Sequence, residues 1–97
     1  MTTETIQHAS LTNHSSPFAP SGGTSYVADC QGSIVDGGVE LQILQNGSFT
    51  SLNPPVRFTP FTVNGSVLTG IIPPGAVLRW TVPRGNNITT KIVSTHG

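Results

Sequence analysis

Charge is what this chain has least of: four Lys/Arg and four Asp/Glu in 97 residues, 8% against about a quarter in an ordinary soluble domain. A surface so poor in charge stays in water through hydroxyls, amides and backbone. It offers little electrostatic steering and little acid–base chemistry. The cations Arg57, Arg79, Arg84 and Lys91 are scattered over the second half, and the net charge is zero. No basic stripe exists to release counterions from phosphates, so nucleic acid is not an expected partner. Cysteine is nearly absent as well. A lone Cys30 cannot close an internal disulfide. The opening residues, Met1 to His8, have neither a basic nor an apolar stretch of the secretory kind, so synthesis in a reducing cytoplasm is expected. No apolar run reaches the roughly 18 residues of a spanning helix, and no membrane partner is expected.

Catalytic chemistry is thin for the same reasons. Nucleophilic catalysis needs a Ser or Cys held against a base with an orienting acid, and no Gly-x-Ser-x-Gly elbow occurs among the many serines. His8 and His14 fall in an irregular N-terminal stretch, and His96 is next to last. With Cys30 they lack the close spacing of zinc ligands, and Asp29 and Asp36 do not form a calcium loop. Asp29 and Asp36, or Asp36 and Glu40, could pair for glycoside hydrolysis, but Asp36 precedes Gly37-Gly38 and reads as a turn residue. The sequence predicts no catalytic residue, no cofactor and no metal ligand.

What is present is turn and strand chemistry. Thr (13), Ser (10), Asn (6) and Gly (11) dominate. Val39, Leu41 and Ile43 alternate with Glu40 and Gln42, the period of a half-buried strand. Asn46-Gly47 follows, a dipeptide that accepts positive φ at both centres of a tight hairpin turn, and Ser48–Leu52 would return. Asn53-Pro54-Pro55 reads as a stop, and Val56–Thr59 as a new segment. Phe61–Val63, Asn64-Gly65 and Ser66–Leu68 repeat the hairpin signature. Ala76–Val82 is the strongest strand, with Leu78, Trp80 and Val82 on one face and Val77, Arg79 and Thr81 on the other. After a turn at Pro83–Asn86, Ile88, Thr90 and Ile92 alternate with Thr89, Lys91 and Val93. No ten-residue window keeps a helical apolar period free of Gly or Pro. The fold class predicted is all-β, a small antiparallel sandwich or barrel of Greek-key or jelly-roll type, over residues 26–97.

Residues 1–25 read differently. Ile6, Leu11 and Phe18 follow neither a strand nor a helix period, and Pro17, Pro20 and Gly22-Gly23 give the stretch a linker composition. They are expected to form an extended N-terminal arm, with Ile6, Leu11, Pro17, Phe18 and Pro20 as its contacts to a partner or a sister chain. Four Asn-x-Ser/Thr sequons occur, at Asn13, Asn46, Asn64 and Asn87; turn chemistry explains Asn46 and Asn64. Trp80 is expected in the core. An exposed Trp80 with Tyr26 would instead form a sugar-stacking shelf.

From Gly38 to Gly97 the chain resembles the small β-structured virion proteins of tailed bacteriophages, capsid decoration (cement) proteins above all. The residues that carry the resemblance are Val39-Glu40-Leu41, the Asn-Gly dipeptides, and Ile72–Trp80 followed by a Gly/Asn turn and a Thr-rich last strand. It implies a non-enzymatic protein without cofactor, made in the host cytoplasm and located on the virion. It further implies a homo-oligomer, a trimer favoured, that binds the major capsid protein of the assembled head and stabilises it. A carbohydrate-binding or adhesin module, such as a tail or fibre-tip protein, is the alternative.

Overall fold

In a computed structural model of the chain, the residues described are 2–20, 24–34, 37–59, 63–73, 75–82 and 87–96. Seven strands follow one another: β1 (Thr2–Leu11), β2 (Thr24–Ser33), β3 (Val39–Gln45), β4 (Ser48–Phe58), β5 (Val67–Ile72), β6 (Leu78–Thr81) and β7 (Asn87–His96). They form two antiparallel sheets, one of order β1-β7-β2-β5 and one of order β4-β3-β6. Each turns one side-chain parity toward the other, so the all-β prediction holds and the architecture is a small sandwich.

The alternations read from the sequence become its core. Val39, Leu41 and Ile43 from β3 meet Leu78 and Trp80 from β6 and Val56 and Phe58 from β4. Tyr26, Ala28, Cys30, Ile72, Ile88 and Ile92 close the layer from the first sheet. Trp80 is fully buried, its ring centroid 6.2 Å from that of Phe58 in a tilted arrangement, the geometry aromatic pairs prefer. Tyr26 lies over Gly70, its cross-strand partner on β5. A Cβ on Gly70 would come within 2.6 Å of the Tyr26 hydroxyl oxygen. The absent side chain is what admits the ring.

One hairpin is local. Asn46 and Gly47 both have positive φ, at 52° and 82°, and they turn β3 into β4 as the dipeptide predicts. The connections β2–β3, β4–β5, β5–β6 and β6–β7 pass from one sheet to the other, while β1 and β2 belong to the same sheet. Asn64 also has positive φ, at 67°, but the second Asn-Gly makes no hairpin, because β4 and β5 lie in different sheets. Its amide grips β2 instead. Oδ1 accepts from the Gly32 N–H at 2.8 Å, Nδ2 donates to the Gly32 carbonyl at 2.7 Å, and the Asn64 N–H donates to the Cys30 carbonyl. Asn64 thus continues the pairing that β5 makes with β2. The proline pair does not end a strand either. Residues 52–55 bulge out of register between Leu41↔Val56 and Gln42↔Ser51, so Pro54 and Pro55 owe no ladder hydrogen bond and β4 runs on.

The largest departure is at the N-terminus. Residues 1–25 do not stand apart from a 26–97 domain. β1 pairs with β7 from Thr3↔Thr95 to Leu11↔Ile88, with a bulge between His8 and Leu11 and Ser10 at φ 57°. The chain then crosses to the second sheet and lies beside β6. The Ser15 N–H donates to the Trp80 carbonyl at 2.9 Å, Ser15 Oγ accepts from the Trp80 N–H at 2.9 Å, and Phe18 and Leu78 exchange both backbone bonds. Ile6, Leu11 and Phe18 are half-buried against this chain's own core, Pro20 is buried and Pro17 is exposed. The irregular spacing of the three apolar residues reflects a segment that serves two sheets in succession. Ser21 to Gly23 and the turn at Pro83–Asn86 lie outside the described residues.

A chain shortened to begin at Ser21 should therefore lose its cooperative melt and its buried-tryptophan fluorescence. It would lack an edge strand and the Ser15 partner of Trp80. A truncated form that keeps both signals at the full-length midpoint would show that the first sheet stands without β1.

Candidate functional site

Alternation on β1, β7, β2 and β5 leaves one side of the four-stranded sheet outside. The register aligns its side chains in rows across all four strands: Thr3, Thr95, Ser25 and Ile71; then Thr5, Val93, Val27 and Thr69; then Gln7, Lys91, Asp29 and Val67. The first two rows carry no charge. In the third, Lys91 Nζ stands 3.6 Å from Asp29 Oδ2, a half-exposed pair of small worth. Val27, Val67 and Ile71 are 45%, 60% and 77% exposed, apolar area that the core does not use. A shallow depression of about 430 Å³ runs between β2, β5 and β7, floored by Val27, Gly70 and Val93 and walled by Ser25, Ile71 and Thr95. Apolar methyls flanked by hydroxyls are thus left facing solvent across this sheet.

The outer face of the other sheet is a polar lattice. The guanidinium carbon of Arg79 stacks 4.2 Å from the centre of the Phe49 ring, a cation–π contact, and Nη2 donates to Gln42 Oε1 at 2.8 Å. Ser51 Oγ donates to Glu40 Oε1 at 3.0 Å, and Arg57 is Glu40's neighbour across the ladder. These groups are held mutually. Arg79 is held by Phe49 and Gln42, while its Nε is buried without a hydrogen-bond partner. Arg84, Asp36 and Phe61 lie outside the described residues.

Of the expected contact residues, Ile6, Leu11 and Phe18 face inward, and they are not brought together on any outer face. The sugar shelf is not formed: Trp80 and Tyr26 are both in the core. Asp29 and Glu40 occupy opposite sheets, and Asp36, which both candidate carboxylate pairs require, lies outside the described residues. Among the described residues no three His, Cys, Asp or Glu groups converge as metal ligands.

The interior row His8, Thr90 and Cys30 crosses β1, β7 and β2. The His8 ring tilts against Phe18 with centroids 5.0 Å apart. Its Nδ1 is buried without a hydrogen-bond partner, as are Thr90 Oγ1 and Trp80 Nε1. Burial therefore lowers the pKa of His8 below its ordinary 6.5. Burial also pushes the Cys30 thiol up to about 11, with the neighbouring Asp29 charge adding to it. Cys30 is thus a core thiol and a poor nucleophile at neutral pH.

Sequence reasoning passed over the outer-face residues, although a signal was available. β5 is apolar on both parities, with Val67 and Ile71 on one and Leu68 and Ile72 on the other. A strand of that kind asks for cover on both faces, and the fold covers one. No protein-family model matches the chain, and comparison with curated proteins and with solved structures finds no match.

Two outcomes follow from the interior row. Since the unfolded chain binds a proton at His8 near pH 6.5 and the folded chain only at lower pH, stability falls as pH drops through that interval and levels below it. Thermal midpoints should decline as pH falls through and below the ordinary 6.5 of His8, and His8→Gln should flatten that part of the profile. An unchanged slope in the variant would assign the effect elsewhere. Cys30 should react slowly with a thiol reagent at mildly alkaline pH and rapidly once denaturant is added; fast labelling of the native chain would place the thiol at the surface.

Proposed function

We propose that this chain is a non-enzymatic structural virion protein, a decoration protein that lies on the assembled phage head and braces it against its major capsid protein. The observation that carries the reading is the outer face of the four-stranded sheet: Val27, Val67 and Ile71 exposed among threonine and serine hydroxyls, with Lys91 and Asp29 neutralising each other. A rigid, nearly uncharged face of this kind suits a broad surface held by shape, apolar area and hydroxyl hydrogen bonds. The low charge of the whole chain and the resemblance of residues 38–97 to decoration proteins point the same way. Docking is assigned to this face and not to an arm, because Ile6, Leu11 and Phe18 serve the chain's own core. The adhesin alternative loses its specific support with the burial of Trp80.

Purified chain should pellet with empty phage heads, and should stay bound as salt rises from about 0.1 M to about 1 M, where the Debye length shrinks from about 10 Å to about 3 Å. Val27→Glu, which places a charge in the middle of the face at an exposed site, should leave the melting midpoint near its starting value and weaken pelleting at least tenfold. Release by salt alone would assign binding to the arginines. Undiminished pelleting of Val27→Glu would move the contact off this face.

A further inference from the structure

A sandwich of two sheets has four lateral edges, and three of them here are blunted. β4 carries the bulge with Pro54 and Pro55. The segment beside β6 pairs through Ser15 and Phe18 and contains Pro17 and Pro20. β1 bears Glu4 and breaks register after His8. Prolines, charges and bulges at edges are what keep strands from pairing with foreign ones. β5 has none of them. Val67-Leu68-Thr69-Gly70-Ile71-Ile72 is uncharged and proline-free, and it pairs with β2 without a break from Asp29↔Val67 to Thr24↔Ile72. Among the described residues nothing hydrogen-bonds to its free side. Alternate residues of an edge strand direct N–H and C=O groups outward, and those groups accept a further strand.

We propose that the free edge of β5 pairs antiparallel with β5 of a second copy, joining two four-stranded sheets into one of order β1-β7-β2-β5-β5-β2-β7-β1. The occupant follows from the strand's own sequence. An antiparallel pair about a twofold axis must match residues of equal parity if both cores are to lie on the same side of the joint sheet. Centring the axis on Thr69 does this over Val67–Ile71. Val67 then stands opposite the partner's Ile71, and Ile71 opposite the partner's Val67. The two most exposed large apolar side chains among the described residues, 60% and 77% exposed, thus become cross-strand pairs of β-branched residues. On the inner face Leu68 meets the partner's Gly70, a large residue against the smallest. No charge on β5 opposes the approach, and the nearest, Asp29, is already paired with Lys91. The sequence resemblance favoured a trimer; this edge closes as a dimer. The inference stands apart from capsid binding and concerns the protein in isolation.

Light scattering at high micromolar concentration should give twice the 10.1 kDa chain mass. Two double variants at the exposed outer-face positions test the register. Val67→Lys with Ile71→Lys sets lysine against lysine across the axis and should halve the mass. Val67→Lys with Ile71→Glu sets lysine against glutamate at both pairs and should restore the dimer. Within one chain the two sites lie about 13 Å apart along the strand, so their intrachain effects are small, and circular dichroism should show the same sheet content in all three proteins. A monomeric or trimeric wild-type mass overturns the proposal, and a monomer would leave the edge open to a strand of another protein. A double-lysine variant that stays dimeric, or a lysine–glutamate variant that stays monomeric, overturns it equally.

Discussion

The ladder on either side of β7 is the constraint around which the molecule is arranged. β7 lies between β1 and β2, antiparallel to both, and supplies Ile88 and Ile92 to the core along with the buried hydroxyls of Thr90 and Ser94. A strand bonded on both sides leaves few backbone groups unpaired. That matters in a chain with one ion pair among its described residues and a single cysteine. Its inward threonine and serine also explain the polar character of this interior: the space between Ile88 and Ile92 goes to a hydroxyl, and His8 faces that hydroxyl from β1. The low pKa of His8 and the inert Cys30 thiol are consequences of where β7 puts its row.

Much of the second sheet was legible from sequence because its strands are written in strict alternation. Val39, Leu41 and Ile43, and Leu78 and Trp80, have polar or half-polar neighbours at every second position, and a tight Asn46-Gly47 turn fixes one register. The first sheet was harder to see. In β1 only Ile6 and Leu11 are large and apolar, and a bulge puts them on different periods. In β2 the inward residues are Tyr26, Ala28 and Cys30, a small and mixed set that sits against Gly70 and Thr90. Their strand character comes from neighbours far along the chain, which no local window contains. Asn64 shows the limit of turn chemistry: the positive φ that the dipeptide favours is present, yet the strands on either side belong to different sheets and the side chain serves β2.

The candidate face was missed for a related reason. A docking surface was sought in residues without a period, on the argument that a folded core had no use for them. Ile6, Leu11 and Phe18 found a use in the core, and surplus apolar area appeared instead on strands whose inward parity was already sufficient. Val27, Val67 and Ile71 are regular strand residues in every local respect. Only the absence, among the described residues, of a third layer over the four-stranded sheet sets them apart.

The partnership of β1 with β7 also has a place in time. β1 leaves a ribosome well before its partner β7, and synthesis at roughly 5–20 residues per second separates them by several seconds. Until then β1 and β2 lack their common neighbour, and the hairpin of β3 and β4 is the one element able to form from adjacent sequence. Closing the first sheet must wait for β7 to emerge, and a loop so long makes that step slow. During that interval the threonine-rich and nearly uncharged composition of β1 serves a second purpose, since a strand with few apolar side chains can remain unpaired in water with less tendency to seek the wrong neighbour.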